Sequence, residues 1–552
     1  MALVDHKGFR RGVPAAILLI AAAMAYGAVA YLTLLHAPMT AEEAAALVRS
    51  WWYTSGAVNP YTATDATWSM PLFFYQLGWW QHLGLGQVWG RAMSIGIGVA
   101  NGLLLFAICQ RLTANALASA GAAFIFLATP ATSFIFAGAT PAASVSLIHL
   151  AAIWLLVTSV GRPRPWATVG FALLMVALYF YRQNMILAVV ALVPLYIAAI
   201  GKKRALHGAV LIVVMAVATA GLLYAFPHKL AEYAARLPVI YGWLQNAKLL
   251  PPHFVLIDRG ATSPVTASLA LNRFSGHALY DYFLLPYAGT LIIALALLAV
   301  VSGPLRILWV ATLYFLWLVA THVVGSLGFC RTGCMLNYTP YFVAVGALAA
   351  GLTLAMAARW ARQRGGSPGV VVIGVSVLVV AINTFAPGVA FEPANKFFPV
   401  AMLADPRAPD VKAETETLAR WIAANAAQQE PILLIHGLGT QRVAELPYAT
   451  FLAGHRLPPQ SFDLARTKRV IGARLTAAQK EAVQGAIEEE SLWSDETMKR
   501  WIAREYDVIV FQDDKTAASA ALLPDITAQF DQGATTTFRG ANLILFKRKT
   551  AQ

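Results

Sequence analysis

The amino-acid sequence predicts a polytopic α-helical membrane protein that ends in an extracytoplasmic α/β domain. Three observations lead to this fold class. Of the 552 residues, 58% are hydrophobic and 12% are charged, and the mean hydropathy is +0.61. Apolar runs recur as far as Phe385, and at about 20 residues each they are long enough to cross a bilayer. After Pro387 the acidic residues become frequent and the apolar runs become short.

The apolar runs predict about eleven transmembrane helices. They are continuous rather than alternating in hydropathy, which favours helices over the strands of a membrane barrel. The first run is longer than the apolar core of a signal peptide and lacks a convincing small-residue cleavage site, so we expect a retained anchor. The predicted spans are 13–36, 88–110, 115–136, 140–160, 166–181, 185–201, 206–226, 283–302, 306–325, 338–358 and 369–386.

The basic residues predict how these spans are oriented. If the N-terminus is cytoplasmic, every inner loop is basic and contains no acid except Asp5, as the positive-inside rule requires. Loops 37–87 and 227–282 and the C-terminal tail are then extracytoplasmic, and we expect the cytoplasmic (inner) membrane as the location. The basic residues of the inner loops are Lys7, Arg10, Arg11, Arg111, Arg162, Arg164, Lys202, Lys203, Arg204, Arg306, Arg359, Arg362 and Arg364.

The net charge of +14 reflects this topology rather than a nucleic-acid partner. There are 22 Lys and Arg against 7 Asp and Glu up to Pro387, and 19 against 20 after it. Binding of nucleic acid would require a basic face on a folded domain, so we expect no such partner. The sequence therefore predicts a membrane module at residues 1–386, with its two long outer loops, and an extracytoplasmic domain at residues 387–552.

The tail has the pattern of a small α/β domain. It opens with the helical stretch "KAETETLARWIAANAA", followed by the short apolar strand "PILLIHG". Two further strands are predicted at "YDVIVFQ" and "ANLILFKRK", and strands alternating with helices are typical of such domains. In "ELPYATFLAGHRLPPQSFD", Tyr448, His455, Arg456 and Asp463 are either acceptor-recognition residues or part of the scaffold.

The first outer loop contains the most unusual residues of the membrane half. It begins with "TAEEAAALVRSWWY", where Thr40 and Glu43 fit a helical capping box. This structural role explains Glu43 but not Glu42, which points about 100° away on the same helix. Farther along, Asp65 adds a third acid, and the apolar stretch 70–80 is too short to span and predicts a helix lying in the membrane interface.

These residues resemble the GT-C superfamily of integral membrane glycosyltransferases. The resemblance lies in the paired acids after the first span, the N-P-Y turn, the "PLFFY" interfacial helix and the Arg-led second span "VWGRAMSIGIGVANGLLLFAI". The sequence is most similar to the polyprenyl-phosphate-sugar-dependent branch, which includes aminoarabinose and protein mannosyl transferases. That family carries Asp-Glu or Asp-Asp where this chain has Glu42-Glu43.

The resemblance implies transfer of a sugar from a polyprenyl-phosphate donor to a glycolipid, lipopolysaccharide, polysaccharide or protein of the cell envelope. An acceptor hydroxyl needs a general base, and we assign this role to Glu42, with Glu43 or Asp65 orienting the acceptor. Asn59 and Tyr61, in the N-P-Y turn, are predicted to bind the acceptor as well.

The leaving lipid phosphate requires cations at the outer surface. Arg182 and Arg331 lie in predicted outer turns, and arginine suits phosphate geometry. Tyr338 lies where the family often has a tyrosine near the lipid head group. Arg182 also fits a helix cap or a snorkelling side chain, and Tyr338 fits an interfacial anchor. Cys330 and Cys334 flank Arg331 and would form a small disulfide loop in an oxidising compartment.

The sequence leaves open whether a cofactor is bound and which of several functions the protein has. No cofactor is certain, although some GT-C enzymes bind a divalent metal ion, for which Glu42, Glu43 and Asp65 would be the ligands. Among functions, the alternatives to a transferase are a polyprenyl-linked oligosaccharide ligase or polymerase, and a transporter. A transporter would place charges at the bilayer midplane, whereas no acid lies inside a predicted span.

Overall fold

In the computed structural model of the protein, the chain forms two compact units. Unit 1 comprises residues 1–37, 90–222 and 264–408, and unit 2 comprises residues 38–89, 223–263 and 409–552. The residues described are 6–36, 41–55, 71–84, 86–161, 164–182, 185–200, 204–225, 335–385, 411–427, 430–435, 446–455, 502–503, 506–513, 517–538 and 540–549.

Helices account for all the regular structure described before residue 426. Their order is α1 (His6–His36), α2 (Ala41–Ser55), α3 (Pro71–Gln81), α4 (Gln87–Thr113), α5 (Ala116–Ala128), α6 (Pro130–Ala137), α7 (Ala142–Ser159), α8 (Pro165–Tyr181), α9 (Ile186–Ile200), α10 (Arg204–Ala225), α11 (Met335–Gln363), α12 (Pro368–Phe385) and α13 (Val411–Asn425). Within the described residues, five of them are long and apolar enough to cross a membrane: Val13–Leu35, Gln87–Thr113, Ala142–Ser159, Arg204–Ala225 and Ala344–Gln363.

Each predicted span that falls within the described residues coincides with helical structure. One of them, 115–136, is two helices, because the chain is extended at Thr129 and Pro130 begins α6. Proline lacks the N–H that would continue the α5 hydrogen-bond ladder, so a break at this residue is favoured. The predicted spans 283–302 and 306–325 lie outside the described residues, and the total of about eleven therefore stays a prediction.

The core of unit 1 is built from small residues on closely packed helices. Helix α5 packs against α1, α11 and α12, and most of its side chains are buried. Gly351 of α11 lies where α4 and α5 meet it. A Cβ at this position would collide with Cys109 Sγ and lie 2.7 Å from the Ala122 Cβ. Small residues of this kind allow helix backbones to approach each other inside a membrane.

A buried arginine joins the end of α1 to the beginning of α4 in unit 1. Arg91 is 1% exposed, and its guanidinium donates a hydrogen bond to the carbonyl oxygen of Thr33. Thr33 lies in the last turn of α1, where carbonyl groups have no partner within the helix. A cation at this end also interacts favourably with the helix dipole. Arg91 therefore caps the C-terminal end of α1.

The sheet of unit 2 has four strands in the order β1 (Ile432–Ile435), β2 (Val508–Asp513), β4 (Ala541–Arg548) and β3 (Phe530–Phe538). Strands β1 and β2 are parallel, whereas β4 is antiparallel to both β2 and β3. The apolar side chains of β1 and β2 pack with α15 (Ala517–Gln529). Strands β1, β2 and β4 lie at the three predicted apolar runs, and α13 lies at the predicted helix.

Strand β3 is the element of this sheet that the sequence does not predict. Its residues "FDQGATTTF" are mostly exposed. They form a strand because their backbone pairs with β4 from Phe530 opposite Arg548 to Phe538 opposite Ala541, with a register shift between Gln532 and Thr535. The predicted boundary at residue 386 between a membrane module and a separate domain stays a prediction, since unit 2 also contains α2 and α3 of the first outer loop.

We predict that Gly351→Ala destabilises the protein by about 1–3 kcal/mol, since the added methyl group overpacks the contact with Cys109 and Ala122. Thermal unfolding of the detergent-purified protein measures the effect. Gly374→Ala in α12 is the matched control, because a Cβ at Gly374 has open space around it. Equal melting temperatures for the two variants would contradict this account of the core.

Candidate active site

Helix α2 carries one of the two predicted catalytic acids into the interior of unit 2. Glu43 is the third residue of α2 and is 2% exposed, next to the buried residues Ala44, Leu47 and Val48. A carboxylate in the first turn of a helix is favoured by the helix dipole. Glu42 lies in the same turn, but its side chain, like the predicted cap residue Thr40, is outside the described part of the structure.

Helix α3 packs against α2 at very short range. Tyr53 of α2 contacts Phe74 of α3, with ring centroids 5.8 Å apart. Gly78 lies in the closest part of this contact, where a Cβ would collide with the Ser50 carbonyl oxygen and lie 2.5 Å from the Thr54 Cγ2. The two helices run antiparallel, because the end of α3 lies beside the beginning of α2. Glycine at position 78 is therefore what permits the short distance between them.

A buried amide connects the end of α3 to the turn of α2 that follows Glu43. Gln81 is 1% exposed, and its Nε2 donates to the Leu47 carbonyl oxygen at 3.0 Å and to Ser50 Oγ at 2.6 Å. The Ser50 hydroxyl in turn donates to the same carbonyl at 3.0 Å. Gln81 Oε1 is buried and has no hydrogen-bond partner among the described residues. Glu43, Leu47 and Ser50 share one face of α2 because they are four and three residues apart.

Two tryptophans join the end of α3 to the beginning of α4. The rings of Trp80 and Trp89 are stacked, with centroids 5.0 Å apart. Each indole N–H donates to the backbone carbonyl of the other residue, at 2.8 Å and 3.0 Å. This reciprocal pair brings the end of α3 beside the beginning of α4, and it therefore fixes the backbone on either side of Gln81.

The C-terminal part of the chain also contacts α2 within unit 2. Trp51 lies between His82, at a centroid distance of 4.7 Å, and Phe451 of α14 (Leu446–Leu452), at 6.3 Å. His455, which follows α14, is 5% exposed, and its Nδ1 lies 3.1 Å from the Glu430 carbonyl oxygen. Because a carbonyl accepts only, Nδ1 carries the proton. The buried Nε2 has no hydrogen-bond partner within the part of the chain that the structure describes.

The structure covers only some of the other residues predicted to bind the acceptor or the donor phosphate. Tyr448 is buried in α14. Arg182 ends α8, where its backbone N–H donates to the Leu178 carbonyl oxygen at 3.1 Å, and its side chain is half-buried. Tyr338 lies in the first turn of α11, without a described side chain. The predicted residues outside the described part of the structure are Asn59, Tyr61, Asp65, Cys330, Arg331, Cys334, Arg456 and Asp463.

The predicted metal site and phosphate site therefore stay predictions. In the described part of the chain, no three His, Cys, Asp or Glu residues lie close enough to share a metal ion. Asp65, one of the three predicted ligands, is outside that part. Sequence reasoning missed Gln81 and Ser50. Glu43 and Ser50 are seven residues apart, which would have indicated two polar residues on one helix face, but the partner on α3 follows from the packing.

The long apolar helices and the sheet-containing second unit define a multi-pass membrane protein of mixed architecture. Two crystal structures share its fold. ArnT from Cupriavidus metallidurans bound to undecaprenyl phosphate has 15% sequence identity to this chain, with 98% of each chain covered and a TM-score of 0.59. The apo state of ArnT from the same organism has 15% identity, covers 96% of this chain and 97% of that chain, and gives a TM-score of 0.56.

The GT-C fold predicted from the sequence is thereby confirmed, since ArnT has this fold and the likeness extends along nearly the whole chain. No protein-family model matches the sequence. No curated protein matches it either. At 15% identity the comparison defines the fold, and the chemistry of this chain has to be argued from its own residues.

We predict that Trp80→Ala destabilises the protein by about 3–5 kcal/mol, because it removes a large ring from a packed pair together with its hydrogen bond. Trp79→Ala is the matched control on the same helix, since Trp79 is 66% exposed. Thermal unfolding of the two purified variants provides the comparison. A Trp79→Ala variant that unfolds as early as Trp80→Ala would show that the ring pair has no special role.

Proposed function

We propose that this protein is a membrane glycosyltransferase. It moves a sugar from a polyprenyl-phosphate donor to an envelope acceptor at the outer face of the cytoplasmic membrane. The acceptor is a glycolipid, lipopolysaccharide, polysaccharide or protein. The acidic pair Glu42-Glu43 supplies the general base.

One observation carries this proposal. The chain shares its fold, over 98% of its length, with ArnT in a complex with undecaprenyl phosphate. That ligand is a polyprenyl phosphate, the group that such a donor would release. The buried Glu43 on α2 is compatible with the proposal, because an acid in the interior of unit 2 has a structural or a chemical role. Burial of an acid is unfavourable without a structural or chemical role.

The proposed reaction is a direct displacement at the anomeric carbon of the sugar. The acceptor oxygen or nitrogen forms a bond to this carbon, and the bond from the carbon to the phosphate oxygen breaks. The proton of the acceptor passes to a carboxylate of the acidic pair, for which we propose Glu42, and the lipid phosphate leaves as an anion. Glu43 and Asp65 hold the acceptor, together with Asn59 and Tyr61 of the N-P-Y turn. General base catalysis of this kind contributes about 10²–10⁴-fold in rate.

The leaving phosphate requires positive charge or hydrogen-bond donors. We propose Arg182, Arg331 and Tyr338 for this role. The half-buried side chain of Arg182, at the end of α8, is compatible with it. A disulfide between Cys330 and Cys334 would hold Arg331 in place. A divalent metal ion bound by Glu42, Glu43 and Asp65 would also stabilise the negative charge of the leaving phosphate.

The proposed topology puts the acidic pair and the donor phosphate on the same side of the membrane. A cytoplasmic N-terminus makes the loop after α1 extracytoplasmic, and the basic inner loops support this orientation. The C-terminal α/β domain is on the same side and is proposed to recognise the acceptor.

We predict that deletion of the gene removes one sugar from an envelope glycan or glycolipid, and that mass spectrometry of the envelope detects the missing mass. Wild-type protein restores the sugar. Glu42→Gln at a matched membrane level lowers transfer by about 10²-fold or more, since the base is lost. Glu416→Gln, on the exposed surface of α13, is the control carboxylate and retains full transfer.

The same measurement separates the alternatives. Full transfer by Glu42→Gln would remove Glu42 as the base. Loss of a whole oligosaccharide instead of a single sugar would favour a ligase or polymerase. An unchanged envelope, with an altered uptake or export of a small molecule, would favour a transporter.

A further inference from the structure

We propose that Gln81 is a positioning residue for the acidic pair of α2, acting through the turn that follows Glu43. This inference rests on the proposed function, because it assigns a role in the same transfer reaction. Gln81 lies outside every motif that the sequence analysis connects with chemistry, and it contributes no acid, base or cation. What assigns the role is the pattern of its hydrogen bonds and its burial.

The orientation of the Gln81 amide is determined by its partners. The Leu47 carbonyl oxygen can only accept a hydrogen bond, so the amide atom 3.0 Å from it is the nitrogen. The Ser50 hydroxyl donates to the same carbonyl, and its oxygen is therefore free to accept from the Gln81 nitrogen at 2.6 Å. Both N–H groups of the amide point at α2, and the amide cannot rotate without breaking both bonds.

These bonds hold α2 at Leu47, one turn beyond Glu43, and at Ser50, two turns beyond it. Leu47 is linked to the turn of Glu43 because in an α-helix the N–H of residue 47 bonds to the carbonyl of residue 43. Gly78 removes the side chain that would otherwise separate the helices three residues before Gln81. Helix α3 therefore fixes α2 along its axis, and a small shift of this contact would move both carboxylates together.

The contact between Gln81 and α2 is buried and polar. Gln81, Ser50 and Glu43 are 1%, 0% and 2% exposed. Among the residues that the structure describes, Gln81 Oε1 has no hydrogen-bond partner, which is unfavourable for a buried acceptor. Methionine would fill the same volume without this penalty. The chain instead has a residue that bonds the backbone and hydroxyl of α2 directionally, as accurate placement of a base requires.

The test is a double-mutant cycle on the purified, detergent-solubilised protein. Its substrates are the sugar-lipid fraction and the unmodified acceptor fraction of the deletion strain. We expect Gln81→Met to lower kcat by about 10- to 100-fold, because displacing a catalytic group by about 1 Å has effects of this size. The KM for the acceptor fraction stays within about twofold, because Gln81 does not touch the acceptor. Gln76→Met, on the same helix, is the matched control and retains the wild-type kcat.

The cycle is completed with Glu43→Asp, which keeps the charge but moves the carboxylate. If Gln81 acts through the acidic pair, Gln81→Met adds less than about twofold to the loss caused by Glu43→Asp. If Gln81→Met lowers kcat in the Glu43→Asp background as much as it does in the wild type, the inference is overturned. Gln81 would then be a general stabilising residue. A rise in KM with unchanged kcat would also overturn it, since Gln81 would then contact the acceptor.

A second variant covers the case in which Gln81→Met does not fold. Ser50→Ala removes one acceptor of the Gln81 nitrogen and leaves the amide in place, and we expect a smaller loss of kcat, about threefold, with the same non-additivity. If the wild-type protein transfers sugar and both variants have the same kcat as the wild type, the inference is overturned but the proposed function is not. Wild-type protein that transfers no sugar would overturn the proposed function and the inference with it.

Discussion

The close contact between α2 and α3 is the constraint on which the candidate active site depends. It exists because position 78 has no side chain, so that the Ser50 carbonyl oxygen and the Thr54 side chain can occupy the space of a Cβ. Because α2 and α3 are so close, the side chain of Gln81 reaches the α2 backbone. The tryptophan pair at 80 and 89 then secures the end of α3. The bonds from Gln81 to α2 would be lost if α2 and α3 moved apart by the width of a methyl group.

The polar residues of both units follow one physical rule. A buried polar group in an apolar environment is unfavourable unless it is hydrogen-bonded, and this chain uses such groups at the ends of helices. In unit 1, Arg91 satisfies the carbonyl of Thr33 at the end of α1. In unit 2, Gln81 at the end of α3 donates a further hydrogen bond to the Leu47 carbonyl in the middle of α2. Both interactions join separate helices, so the polar groups help to determine which helices are neighbours while the apolar surfaces provide most of the stabilisation.

The helices could be predicted from the sequence far better than the contacts between them. A bilayer requires long apolar runs, and such a run is visible for each membrane helix that the structure describes. Helices α2 and α3 could be predicted from a capping pattern and a short aromatic stretch. The break between α5 and α6 was missed, because hydropathy continues through Thr129 and Pro130. Strand β3 was missed because its residues gain their conformation from pairing with β4.

The same distinction explains how much of the site could be predicted. Glu43 is conspicuous because an acid is rare in so apolar a sequence, whereas Gln81 is one glutamine among several, and its role follows from a contact over 34 residues of chain. A fold shared at 15% identity shows that many apolar sequences satisfy the same packing. The apolar residues are therefore weak indicators of chemistry. The proposed positioning role rests instead on two buried polar residues, Ser50 and Gln81, which the contact between α2 and α3 brings together beyond the turn of Glu43.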